Sequence, residues 1–361
     1  MDLKQIIDGF VIDGVITECE PFGTGHINDS YHLVNADPNK PDYLLQKINH
    51  HVFKDVPGLM QNINQVTSHI RKKRRMSDVN DDKDSVLSLI YTHDGGLFYP
   101  DGGCFWRVFR FIKNTVSSDH AETPSQAYEG ARAFGSFLTD LSDFPGNKLA
   151  ITIPGFHDLK LRLEQLSQAV PTANRERLLA SKDLLSFIHN YADDLLVFHK
   201  LTLLNRIPSR VTHNDTKFNN VLLTANRRTA CVIDLDTVMP GIVHYDFGDG
   251  VRTGAVACEE DEPDLSLIEL DQHRYEAFTA GYLETTRKVL TPIEIDHLPL
   301  AGAFMAFIMG VRFITDYLNG DIYYKIQFPD HNLQRAANQL HLGKIMLKRK
   351  KDLKTIIQYH V

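Results

Sequence analysis

Near residue 112 the spacing of apolar residues changes period, and that change restricts the fold more than any single motif. Before it come short runs of β type, ITECEPF, SYHLV, DYLLQKI, SVLSLIYT and CFWRVFRFI, separated by turn residues such as DGG. Alternation over so few residues predicts a small antiparallel sheet. One helix interrupts it, because Val56, Leu59, Ile63, Val66 and Ile70 recur at helical spacing before the basic run RKKRR. Beyond residue 112 helical spacing dominates. Thr123 followed by Pro124 is an N-cap and first-turn pair for a helix whose apolar side carries Ala127, Ala131, Phe134, Leu138 and Leu141. The expectation is an α+β chain of two lobes: residues 1–112 form a sheet lobe with one helix, and residues 113–361 a larger, mainly helical lobe. No fixed-period repeat or low-complexity tract points elsewhere.

A chain of 361 residues, 43% of them hydrophobic, can bury a sizeable core. Its net charge of −7 argues against nucleic acid or an acidic membrane as partner and favours a small molecule. The apolar run Leu298 to Val311 holds Pro299 and two glycines and reads as core. The stretch MDLKQIIDGFVIDGV has acidic residues on both sides of its apolar segments and no basic n-region, so it makes a poor signal peptide. Cys19, Cys104, Cys231 and Cys258 are widely separated, which fits a reducing, cytoplasmic compartment.

Inside the helical lobe lies VTHNDTKFNNVLLTANRRTACVIDLDT, residues 211–237. VLL and ACVID read as two strands joined by the turn TANRRT. A hairpin would put Asp215 and Asn220 on the loop entering the first strand and Asp234 at the exit of the second, so that the three converge. Phosphoryl transfer needs these parts: a carboxylate that takes the proton of the attacking hydroxyl, and an amide with a second carboxylate to hold magnesium against nucleotide phosphates. Magnesium prefers hard oxygens and needs few protein ligands.

The pattern HxDxxxxN followed by an apolar strand ending in Asp resembles the catalytic and metal-binding segments of the aminoglycoside phosphotransferase and choline kinase superfamily. PFGTGHIN, THNDTKFNN, IDLDTVMPG with YDFGD after it, and GVRFITDYLNGDIYY followed by FPDHNL are most similar to N-acetylhexosamine 1-kinases. The resemblance implies a protein-kinase-like fold, ATP as phosphoryl donor and Mg2+ as cofactor. It implies Asp215 as base, Asn220 and Asp234 as metal ligands, Gly23 and Gly25 at the nucleotide, and Arg312, Tyr323 and His26 at a sugar. His213 reads as a structural residue of the loop. Asp236, by the period-two rule, shares a strand face with Asp234, and either approaches the metal or holds the loop. Asp246 caps a helix and supports the catalytic loop.

The chain departs from the kinase pattern on the nucleotide side. Kinases pair a strand lysine with a glutamate on the following helix. Here the strand position falls on Gln46, Lys47 points to the opposite face, and residues 56–75 contain no Asp or Glu. Either magnesium and backbone donors carry the phosphate charge or another cation reaches in. Adenine is expected where WRVFRFI ends. Arg312, in an apolar helix, needs a polar partner, either the substrate or Asp316 one turn on. RKKRR and KRKKDLK read as solvated helix faces. Three readings follow: an N-acetylhexosamine 1-kinase, a kinase of the same fold for another small alcohol such as choline, homoserine or a different sugar, and a nucleotide-binding pseudokinase.

Overall fold

The computed structural model describes residues 3–23, 27–76, 85–226 and 228–361. β1 (Ile16–Pro21), β2 (Asp29–Asn35), β3 (Tyr43–Ile48), β4 (Leu89–Ile90), β5 (Tyr99–Asp101) and β6 (Cys104–Arg110) form an antiparallel sheet in the order β1-β2-β3-β6-β4, with β5 also on β6. Its register puts Gln46 opposite Arg107 and Lys47 opposite Trp106. Period-two alternation therefore gives the sheet two different faces. One buries Leu33, Tyr43, Leu45, Trp106 and Val108 with Ile6 and Phe10, the latter beside a short helix α1 (Leu3–Ile7). The other carries Gln46 and Arg107 and meets Met60 of α2 (Val56–Met76).

The chain divides into two compact units. The first holds this sheet, residues 140–154 and residues 222–240. In the last segment the expected hairpin forms from β9 (Val221–Thr224) and β10 (Thr229–Val232), and β9 also pairs with β7 (Thr115–Val116). RKKRR does not lie free in solvent. Arg71 donates to the carbonyls of Val86 and Leu87, Lys73 reaches Asp143, and Arg74 pairs with Asp140.

The second unit comprises residues 117–139, 155–221 and 241–361. Thr123 accepts from the backbone N–H of Gln126 and opens α3 (Pro124–Asp140), as expected from Thr-Pro. There follow α4 (Leu159–Ala169), α5 (Arg175–Ala180), α6 (Lys182–Leu195), α7 (Val197–Leu203), α8 (Val243–Gly254), α9 (Gln272–Thr286), α10 (Pro292–Leu318), α11 (His331–Lys348) and α12 (Lys350–His360), with the short strand β8 (Arg210–Thr212) between α7 and α8. α10 is long and apolar enough to cross a membrane by length and composition, but 89% of its apolar window is buried, and it packs on α4, α8, α11 and α12 as the core helix. Thr291 and Glu294 form a capping box at its start. The same buried Glu294 carboxylate accepts two bonds from Arg210, which anchors β8, the strand leading into residues 213–220.

Candidate active site

The segment after β8 is held by its own side chains and by α8. Asp246, in the first turn of α8, does not cap that helix. Its carboxylate accepts from the backbone N–H groups of His213 (2.9 Å) and Asn214 (2.8 Å), and its carbonyl accepts from the Thr216 hydroxyl. Burial pushes the Asp246 carboxyl up to about 7, against the backbone donors that favour its charged form. His213 is fully buried between Phe134 and Phe137, and its Nδ1 accepts from the Asp215 N–H at 3.3 Å. It acts structurally, as its place in the loop implied. Phe218 fits beneath the loop because Gly130 of α3 has no side chain, and a Cβ there would come within 2.5 Å of its ring.

Asn214 adopts the left-handed conformation (φ 64°) immediately before Asp215. Asn220 donates Nδ2 to the Asp215 carbonyl at 2.8 Å and to its carboxylate at 3.2 Å. Both bonds use the amide nitrogen, which fixes the flip and leaves Oδ1 as the oxygen not used in them. Lys217 Nζ lies 3.5 Å from Asp215 Oδ1. Burial opposes ionisation of Asp215, but Lys217, with His213 and Arg252 behind it, holds the carboxyl below the usual carboxylate range. Lys217 was missed in the sequence. The available signal was a cation two residues after the candidate base.

Asp234 and Asp236 belong to the first unit and part company there. β10 ends at Val232, Asp234 turns left-handed (φ 58°), and Leu235–Thr237 form a 3-10 turn, so strand alternation does not apply. Asp234 is exposed and Asp236 is buried. Asp236 is bidentate to Arg107, which is also buried, and accepts from Asn28 Nδ2 at 2.7 Å. It holds the loop. Gly23 is left-handed (φ 77°), with open space where a Cβ would stand. Gly25 and His26 lie outside the described residues.

Arg312 does not pair with Asp316. That carboxylate is taken by the backbone N–H groups of Ile322, Tyr323 and Tyr324 and by Asn332 Nδ2, which fixes the turn bearing Tyr323. The Arg312 guanidinium lies over the rings of Phe156 (5.1 Å) and Tyr324 (5.6 Å) instead. Arg162 donates to the carbonyls of Gly155 and Phe156, and burial followed by repulsion from Arg312 lowers its proton affinity. His157 donates Nε2 to the Asn214 carbonyl at 2.7 Å, next to Asp215. Burial brings its imidazole down to about 3, so it is neutral. Among the described residues, Arg162 Nε, His157 Nδ1 and the Tyr324 hydroxyl are buried without a hydrogen-bond partner, and neither arginine has a carboxylate partner. Sequence reading found Arg312 and Tyr323 in this cluster and missed Arg162, His157 and Tyr324.

These features define a kinase-like phosphotransferase. A model of the phosphotransferase enzyme family matches residues 18–285, and the chain belongs to that family, the group of aminoglycoside phosphotransferases and choline kinases. Its fold is similar to that of an aminoglycoside phosphotransferase from Alicyclobacillus acidocaldarius, at 12% identity over 99% of this chain and 97% of that one, TM-score 0.62. It is also similar to a microcompartment-associated aminopropanol kinase, at 12% identity over 98% of both chains, TM-score 0.62. An amicoumacin kinase in complex with AMP-PNP, Ca2+ and Ami shares the fold at 12% identity over 95% of this chain and 94% of that one, TM-score 0.57.

Proposed function

We propose that the chain is an ATP-dependent kinase that phosphorylates the anomeric hydroxyl of an N-acetylhexosamine, GlcNAc or GalNAc, giving the sugar 1-phosphate in the cytoplasm. Asp215 takes the hydroxyl proton, and its depressed pKa keeps it ionised for that task. Asn220 Oδ1 and the Asp234 carboxylate are hard oxygens of the kind magnesium selects, and they are its ligands in this reading. Bound there, the ion neutralises charge on the nucleotide phosphates. Gly23 and Gly25 receive the nucleotide in this reading. Arg312, Tyr323 and His26 recognise the sugar.

The observation that carries the choice of acceptor is the charge around Arg312. Two guanidinium groups without carboxylate partners, those of Arg312 and Arg162, lie close enough to act electrostatically on His157 and Tyr324, each of which has a buried polar atom without a hydrogen-bond partner. A cationic alcohol brought to about 4 Å of one guanidinium would be repelled by about 1 kcal/mol in water and about 4 kcal/mol at an effective dielectric near 20. A neutral sugar instead offers hydroxyl and amide oxygens that suit planar Arg donors, and hydroxyls that donate to His157 Nδ1.

The test is ADP release with a panel containing N-acetylhexosamines, aminopropanol and choline. The N-acetylhexosamine should give the highest kcat/KM, and Arg312→Ala should raise KM for the sugar far more than for ATP. A cationic alcohol outcompeting every sugar would refute this reading.

A further inference from the structure

Among the described residues, the first unit shows no strand lysine paired with a glutamate of α2, the charge pair by which kinases order their phosphate-binding elements. The β3 position is Gln46, and α2 has no Asp or Glu along its length. What stands on the same face of the sheet is Arg107. It donates Nε to Gln46 Oε1 at 3.0 Å and grips both oxygens of Asp236, two residues beyond Asp234. Asn28 completes the arrangement. It precedes β2, donates to Asp236 Oδ2 at 2.7 Å, and accepts through Oδ1 from the Asn49 N–H just after β3.

We propose that Arg107, Asp236 and Asn28 form a positioning device that stands in for the missing lysine–glutamate pair and sets the Asp234 carboxylate for the metal–nucleotide complex. This rests on the assignment of Asp234 as a metal ligand. At 2% and 3% exposure, Arg107 and Asp236 are buried, and their hydrogen bonds run to each other and to the side chains of Gln46 and Asn28. A bidentate planar pair fixes orientation as well as distance. A buried ion pair adds little net stability over an apolar pair of the same volume, so stability alone does not account for it. Its geometric product is a 3-10 turn locked to β6 through Arg107 and to β2 and β3 through Asn28, leaving Asp234 exposed in a left-handed conformation. Groups that orient a metal ligand without touching the metal typically govern affinity by roughly 10- to 100-fold.

The test measures ADP affinity by calorimetry with Mg2+ and with EDTA, beside the melting temperature, in the wild type and in Arg107→Met, Arg107→Lys, Asn28→Ala and the double variant Arg107→Met/Asp236→Leu. Wild type should bind ADP more tightly with Mg2+. Arg107→Met should lose roughly tenfold or more of that metal-dependent gain while its EDTA affinity stays put. Arg107→Lys should recover part of the gain, and Asn28→Ala should lose a smaller part with little change in melting temperature. The double variant should regain melting temperature without regaining the metal effect. If the metal effect returns together with stability in the double variant, or survives in both Arg107→Met and Asn28→Ala, the role is merely structural and the proposal falls. A wild-type protein that binds no nucleotide in either condition would overturn the kinase reading along with it, so the two failures are distinguishable.

Discussion

The loop carrying Asp215 and the loop carrying Asp234 each rest on a buried aspartate, but the two are held by different physics. Asp246 holds the first through neutral backbone N–H groups, backed by the His213 ring, the Thr216 hydroxyl and the Asn220 amide. Asp236 holds the second through a guanidinium, with one amide beside it. The first arrangement spreads the load over many modest bonds, whereas the second concentrates it in one charged contact. The first loop should therefore tolerate the loss of one support better than the second.

The largest expected contrast lies between the half-buried Asp215 of the first loop and the exposed Asp234 of the second. Asp215→Asn should cut kcat by ~10²–10⁴ and leave Mg-nucleotide affinity and melting temperature nearly unchanged, because the base acts on the acceptor hydroxyl. Asp234→Ala should weaken Mg-nucleotide binding and turnover together. Steady-state kinetics paired with nucleotide titration separates these patterns, and equal effects on both parameters in both variants would erase the distinction between the loops.

The next contrast is between the supports. Asp236→Ala leaves a buried guanidinium unpaired, a loss of about 3–5 kcal/mol. Asp246→Ala leaves buried N–H donors unsatisfied, each costing about 1–3 kcal/mol, with the remaining bonds of the loop in place. Two donors at that cost overlap the range for Asp236→Ala, so the bonds that the first loop retains decide the order, and denaturant titration should rank Asp236→Ala as the less stable variant. The reverse order would show that the second loop is the more redundantly held.

Smaller still is the effect of Lys217. A depressed carboxyl pKa keeps Asp215 charged as pH falls, so the acid limb of kcat/KM should lie below the ordinary carboxylate value of about 3.9. Lys217→Met removes the strongest of the influences that lower it and should move the limb to higher pH. An unmoved limb would mean that the cation does not act on Asp215.

The same contrast explains what was legible in the sequence. The first loop is written in residues a few positions apart, and its chemistry demands their order, so Asp215 and Asn220 stood out, and His213, which the structure buries between two phenylalanines, was taken as structural. The hairpin of residues 221–232 was equally readable from its apolar runs and turn. The role of Asp236 was not, because its partner Arg107 lies 129 residues away and sits on a strand that otherwise reads as core. Strand alternation also misplaced Asp236, since the left-handed turn at Asp234 ends the period-two rule. Arg312 and Asp316 have the spacing of a helical ion pair, yet three backbone N–H groups of the following turn compete for that carboxylate and win. RKKRR looked solvated because its acceptors, Asp140, Asp143 and the carbonyls of residues 86 and 87, come from segments no local pattern connects to it.

The central claim is transfer to the anomeric oxygen of an N-acetylhexosamine, and the most direct test compares the free sugar with its methyl glycoside in the presence of ATP and Mg2+. The glycoside keeps its 6-hydroxyl and its acetamido group but has no free anomeric hydroxyl. ADP release should be rapid with the free sugar, with phosphate on C1 of the product, and should stay at background with the glycoside. Phosphorylation of the methyl glycoside at a comparable rate would contradict the account.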